Sequence, residues 1–141
     1  MPERFEADDL RAGKASIKVV GAGGMGNNAA TQLYEMGITG AEIYAINSDA
    51  QHLEISKADL KILIGKELTR GLGCGGYPNK GRECAKESIA ELKKLVAGSD
   101  MTFVLAGLGG GTGTGSAPVV AQLAKETGSI VIGTTTMPFE I

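Results

Sequence analysis

Short, mostly apolar runs rich in β-branched residues alternate along this chain with longer segments whose apolar residues recur at helical spacing. The runs are SIKVVG (Ser16–Gly21), AEIYAIN (Ala41–Asn47), LKILIG (Leu60–Gly65), DMTFVLAG (Asp100–Gly107) and GSIVIGTTT (Gly128–Thr136). Their length and β-branched content predict buried strands. Between them, Ala29–Met36 is helix-forming and stops at Gly37, a fitting C-terminal cap. SDAQHLEI offers Ser48 or Asp49 as the cap of a short helix. Over Arg82–Val96, Ala85, Ile89, Leu92, Leu95 and Val96 fall on one stripe with Lys and Glu between them, which predicts an amphipathic helix. SAPVVAQLAKET predicts another, with Ser116 near its N-cap and Pro118 in its first turn. Apolar strands alternating with helices predict a doubly wound α/β domain, a mainly parallel Rossmann-like sheet with helices on both faces. A length of 141 residues suits one domain, over residues 16–141. Residues 1–15 are charged and aperiodic, and read as an arm.

Composition and charge remove several classes of function. With 14 basic and 16 acidic residues, a net charge of −2 provides no broad basic field for nucleic acid. No run approaches the roughly 18 apolar residues of a membrane helix, and MPERFEADDL lacks a signal-peptide core, so a cytoplasmic protein not inserted in a membrane is expected. Cys74 and Cys84 match neither CxxC nor a metal-ligand spacing and read as reduced thiols, with no protein metal site. The 22 glycines are clustered, which marks specified loops rather than a linker.

Those loops fall at the carboxyl ends of the strands, where doubly wound folds bind ligands. In GAGGMGNN, Gly21, Gly23 and Gly26 satisfy GxGxxG, with Asp49 after the next strand where a ribose-binding acid sits. Either a phosphate rests on amides at a helix N-terminus or this is only a tight turn. Asn27 and Asn28 either cap the helix or touch a ligand. GLGGGTGTG holds six glycines in nine residues, Gly107–Gly115, just ahead of a helix. Such a run exposes successive N–H groups along a concave path, with Thr112 and Thr114 as the only side-chain donors. No GxxxxGK[ST] lysine occurs, so phosphates would be held by amides. Two phosphate-type loops on one sheet edge fit a nucleotide with a longer phosphate chain than a dinucleotide. The segment Lys66–Gly81, with Thr69, Arg70, Gly71, Gly73, Gly75 and Gly76, reads either as a γ-phosphate sensor or as a surface loop. His52 reads as an ordinary helix residue, and no Ser-His-Asp or Cys-His set is assembled.

Taken together, GAGGMGNN, NSDAQ, LTRGLGCGGYPNKG, GGGTGTG and GSAPVVAQLAKE resemble the tubulin/FtsZ family of GTPases over roughly residues 16–139. The pattern is more similar to the family's archaeal and bacterial division proteins than to eukaryotic tubulin. The resemblance implies binding of GTP or GDP, with Mg2+ accompanying GTP. It also implies head-to-tail homopolymers that hydrolyse GTP at the subunit junction, and membrane-tethering partners at a midcell division site. By position, Gly23, Gly24, Met25, Gly26 and Asn28 would lie along the phosphates, and Asn47 and Asp49 near the nucleotide and its metal. Gly71 and Gly73 would border the γ-phosphate, while Gly109, Gly110, Gly111, Thr112, Gly113 and Thr114 would cradle the phosphate chain. No catalytic residue is expected in this chain, because the family's acidic loop comes from the longitudinal partner. That loop, the ribose contacts and the guanine-reading residues belong to positions beyond Ile141, and Glu140 lies too close to Pro138 to be the ribose Glu. The chain alone is therefore expected to bind nucleotide weakly, to separate GTP from ATP poorly and to turn over little. Two alternatives remain: a non-catalytic module acting on filaments, or an NAD(P) oxidoreductase built on Gly21, Gly23, Gly26 and Asp49. The second leaves GGGTGTG unexplained.

Overall fold

The computed structural model describes residues 14–137; most of the expected arm, and Glu140, lie outside the described residues. The elements are β1 (Ile17–Ala22), α1 (Gly23–Glu35), β2 (Ala41–Asn47), α2 (Ala50–Ile55), β3 (Leu60–Leu63) and α3 (Lys66–Thr69), then α4 (Pro78–Glu87), α5 (Ile89–Val96), β4 (Met101–Gly107), α6 (Gly111–Glu126) and β5 (Ile130–Thr136). All strand pairs are parallel, in the order β3-β2-β1-β4-β5. The doubly wound expectation holds.

Strand periodicity decides which helix covers which face. Val20, Ala22, Tyr44 and Ile46 point to one side, where they pack with Cys84, Ala85, Leu92 and Val96 of α4 and α5 and with Val120, Leu123 and Ala124 of α6. Val19 and Ile43 point to the other, against Ala30 and Leu33 of α1. Lys18 is an exception the apolar pattern concealed. Its stem is buried and its Nζ donates to the carbonyls of Leu95 (2.9 Å) and Ala97 (2.7 Å), satisfying the end of α5. Coverage on both faces does not extend to β5, which is in full register with β4 yet largely exposed.

Helix boundaries depart from expectation in three places. First, α1 begins at Gly23 rather than Ala29, and α6 at Gly111 rather than near Ser116. Both glycine-rich stretches are thus first turns of helices, and Pro118 lies within α6. The three glycines Gly111, Gly113 and Gly115 in α6 cost roughly 3 kcal/mol against alanine. Tight packing offsets this: a Cβ on Gly115 would sit 2.0 Å from the Pro78 carbonyl oxygen, and one on Gly81 2.2 Å from that of Gly111. Second, Arg82–Val96 is two helices, with Pro78 in the first turn of α4 and a break at Ser88. Ser88 leaves helical geometry (φ −98, ψ 20) while its Oγ accepts the Gly65 N–H at 3.1 Å. Third, the long loop is interrupted by α3 and reduces to residues 70–77.

Candidate functional site

Strand order reverses at β1, whose neighbours are β2 and β4, so the helices that follow β1 and β4 leave toward opposite faces. Their first turns meet at this crevice. A Cβ on Gly23, which has φ +75, would fall 2.6 Å from the Gly113 nitrogen, and one on Gly113 would fall 2.8 Å from the Ala22 oxygen. Only glycine permits this backbone contact. The first and third glycines of the GxGxxG stretch serve packing instead, since a Cβ on Gly21 would lie 2.1 Å from the Gly26 oxygen and one on Gly26 2.4 Å from that of Leu105.

A cavity of about 420 Å³ opens at the crevice. Gly24 and Met25 of α1, Gly110–Gly113 at the start of α6, Asn47, Asp49 and Gly73 line it together. Of the remaining expected residues, Gly23 and Gly26 lie in the packed contacts beneath, and Gly71, Gly109 and Asn28 lie outside the lining. The Asn28 Oδ1 meets His52 Nε2 at 3.1 Å. Thr114 faces away, into a larger, mainly apolar hollow of about 690 Å³ between α4, α5 and α6. The smaller cavity is the candidate site, because the amides and glycine-rich turns converge there.

Neither α1 nor α6 has a side-chain N-cap or an acidic residue in its first turn. Two helices of 13 and 16 residues therefore direct uncapped amides and about half a positive charge each toward the crevice. The polar side chains nearby are mostly committed to one another. Asn27 is fully buried and separates from Asn28 in role: its Nδ2 donates to the carbonyls of Gly21 (3.0 Å) and Ile46 (2.9 Å), and its Oδ1 accepts from Asn47 Nδ2 (3.0 Å). Asn47 Oδ1 accepts the Asp49 N–H, and Asp49 Oδ1 in turn caps α2 at the His52 N–H (3.1 Å). The Thr112 and Ser48 hydroxyls pair at 2.7 Å. What remains open to the cavity is largely backbone, with the Asp49 carboxylate beside it.

The loop of residues 70–77 forms the outer wall. It is joined to the segment after β2 by the Ala50 N–H to the Gly71 oxygen (3.0 Å) and the Gly73 N–H to the Ser48 oxygen (3.1 Å). Gly71, Gly73, Gly75 and Gly76 all have positive φ, so these turns are built in rather than slack. Thr69 is buried and donates to the oxygens of Ser48 and Gly65, which removes it from the sensor reading. Arg70 does not line the cavity. Gly75 and Gly76 of the candidate sensor loop are in the lining, whereas sequence reasoning missed Cys74 and His52 there, and Ser48 as the hydroxyl joining Thr112 to Cys74. The signal for Cys74 was its place inside the glycine loop.

As for metals, among the described residues Asp49 is the only carboxylate in the lining, and no group of three His, Cys, Asp or Glu side chains gathers. One carboxylate does suit a Mg2+ carried mainly by phosphate oxygens and water. No helix of the described residues is long and apolar enough to cross a membrane.

Comparison with known proteins places these features in a group. The family model described as "Tubulin/FtsZ family, GTPase domain" matches residues 16–141. Cell division protein FtsZ 2 of Methanocaldococcus jannaschii is 60% identical over 138 residues, 98% of this chain and 36% of that protein. Its namesake from Haloferax volcanii is 49% identical over 97% of this chain and 34% of its own length. Among solved structures, an empty FtsZ dimer from M. jannaschii superposes with a TM-score of 0.90 at 54% identity, over 96% of this chain and 41% of that one. A GTPγS-bound protofilament of CetZ2 from H. volcanii superposes with a TM-score of 0.70 at 27% identity, over 84% and 39%. The chain thus spans about a third of the length of the curated relatives it matches.

Proposed function

Because the chain belongs to the tubulin/FtsZ GTPase family, we propose that its cavity holds the phosphate chain of GTP or GDP and that it forms the phosphate-binding part of a self-assembling GTPase of cell division. The observation that carries this reading is the meeting of two uncapped helix starts, Gly23 against Gly113, beside a cavity faced by amides. A dinucleotide fold uses one such turn for its pyrophosphate. Two favour a longer polyphosphate.

In this reading the N–H groups of Gly24, Met25 and Gly110–Gly113 donate to phosphate oxygens, and the two helix dipoles oppose the phosphate charge. The buried Asn27–Asn47–Asp49 chain holds the rims of β1 and β2 in register, so the amides are ordered before ligand arrives. Asp49 and the phosphates would share a Mg2+, which supplies charge neutralisation at the phosphate tail. The loop of residues 70–77 closes the γ-phosphate end. Hydrolysis would need acidic groups from a second subunit stacked head to tail, and base recognition would need residues outside this chain. Alone, the chain binds nucleotide without strong preference for guanine and turns over little.

Amide shift mapping of the isotopically labelled chain on addition of GTP tests the site. Shifts are expected at Gly24, Met25, Gly73 and Gly110–Gly113. Shifts confined to Val119, Gln122 and Glu126, in the larger hollow, would overturn the reading. Sustained phosphate release by the chain alone would overturn the dependence on a second subunit.

A further inference from the structure

Two cysteines have no part in phosphate binding as read above. Both are free and buried, Cys74 at 3% exposure and Cys84 at 0%, and their Sγ atoms lie 3.7 Å apart. A disulfide requires about 2 Å between sulfurs, so less than 2 Å of approach separates the thiols from a covalent bond. Their surroundings determine which one moves. Cys84 is fixed in α4, and a Cβ on Gly65 would lie only 2.3 Å from its Sγ. Cys74 sits between glycine turns at positive φ and lines the cavity.

We propose that Cys74 and Cys84 are a thiol–disulfide modification site that reshapes the wall of the phosphate cavity. A low-molecular-weight disulfide, RSSR, is the oxidant. The Cys74 sulfur, reached from the cavity, forms a mixed disulfide and releases one RSH. The Cys84 sulfur then displaces the second RSH as the internal bond closes, so two thiols and RSSR become one protein disulfide and two RSH. Burial, and next the contact with Cys74, push the Cys84 thiol up to about 12, which keeps it protonated and unreactive toward RSSR, so Cys74 in the cavity lining reacts first and closure by Cys84 is the slower step.

Closure draws Cys74 away from Ser48 Oγ, now at 3.2 Å, and Ser48 is the partner of Thr112 in the first turn of α6. The same loop presses on Gly111, where a Cβ would lie 2.6 Å from the Tyr77 nitrogen. Oxidation therefore acts on the start of α6 from two sides. The consequence for ligand rests on the proposed nucleotide site; the sulfur chemistry does not.

The test incubates the full chain with oxidised glutathione, reads intact mass, and titrates the reduced and oxidised forms with a fluorescent GTP analogue. Loss of two hydrogens without adduct is expected, with about tenfold weaker nucleotide binding after oxidation. Cys84→Ala should instead retain a single mixed disulfide, and Cys74→Ser should not react while folded. A stable adduct on the unaltered chain, a disulfide-linked dimer, or no reaction when the urea-unfolded chain does react would each overturn the proposal. Equal binding by the oxidised and reduced forms would overturn the reshaping. If the reduced chain itself fails to bind the analogue while the internal disulfide forms, the nucleotide reading fails and the modification site stands.

Discussion

Replacing Gly115 by alanine asks whether the α6 glycines are there for close approach or for flexibility. The added Cβ would meet the Pro78 oxygen at 2.0 Å, the Arg82 nitrogen at 2.5 Å and the Gly81 carbonyl carbon at 2.9 Å. All three are α4 backbone, so no side-chain rotation relieves the clash and the two helices must part. Overpacking of this kind costs about 3 kcal/mol, at the upper end of its usual range. Alanine recovers about 1 kcal/mol of helix propensity, which leaves a net loss of about 2 kcal/mol. Gly110 is the control. It has φ −99 and no atom within 4 Å of an added Cβ, so Gly110→Ala should shift stability by less than about 0.5 kcal/mol. Urea unfolding followed by far-UV circular dichroism compares the two, and at roughly 3 °C per kcal/mol the melting temperatures should differ by about 6 °C. Equal midpoints for Gly115→Ala and the unaltered chain would refute the close-packing account.

Further perturbations test other parts of the structure. Asn27→Ala strips buried partners from the Gly21 and Ile46 carbonyls and from Asn47 Nδ2, and should cost about 3 kcal/mol in urea unfolding; a loss under about 1 kcal/mol would mean these bonds do not order the site. Lys18→Met keeps the stem but removes the donor to the Leu95 and Ala97 carbonyls, with an expected loss of about 2 kcal/mol and earliest hydrogen exchange at the end of α5. Alkaline pH should destabilise the fold. Burial pushes the Cys84 thiol up to about 12, and burial, followed by the bond to Glu42, raises the Tyr44 phenol above its ordinary range. Both groups hold their protons more tightly when folded, so stability is complete below about pH 9 and is lost as pH rises toward 12. Cys84→Ala should lessen that slope, whereas an unchanged urea midpoint between pH 8 and 11 would contradict the assignment.

The strand content was readable because five β-branched runs alternate with helical spacing, and Ala41–Asn47 matches β2 residue for residue. The short helix and its Asp49 cap were legible for the same local reason, a side chain one turn ahead of an amide. The starts of α1 and α6 were not. Glycine disfavours helix locally, and what holds Gly111–Gly115 helical is contact with α4 and with Gly23, which are distant in sequence. The division at Ser88 depends likewise on a bond to Gly65 across 23 residues. At the candidate site, the glycine clusters read from the sequence converge on one cavity, but the Thr112 and Thr114 hydroxyls have partners within the protein. They turn to Ser48 and to the Gly107 carbonyl, leaving largely backbone to face the cavity.

The most direct test of a polyphosphate cradle is competition calorimetry of the reduced chain with GTP, inorganic tripolyphosphate and guanosine at one ionic strength. The account predicts that tripolyphosphate displaces GTP from a single site and that guanosine does not, with ATP competing nearly as well as GTP. Displacement by guanosine but not by tripolyphosphate would contradict it.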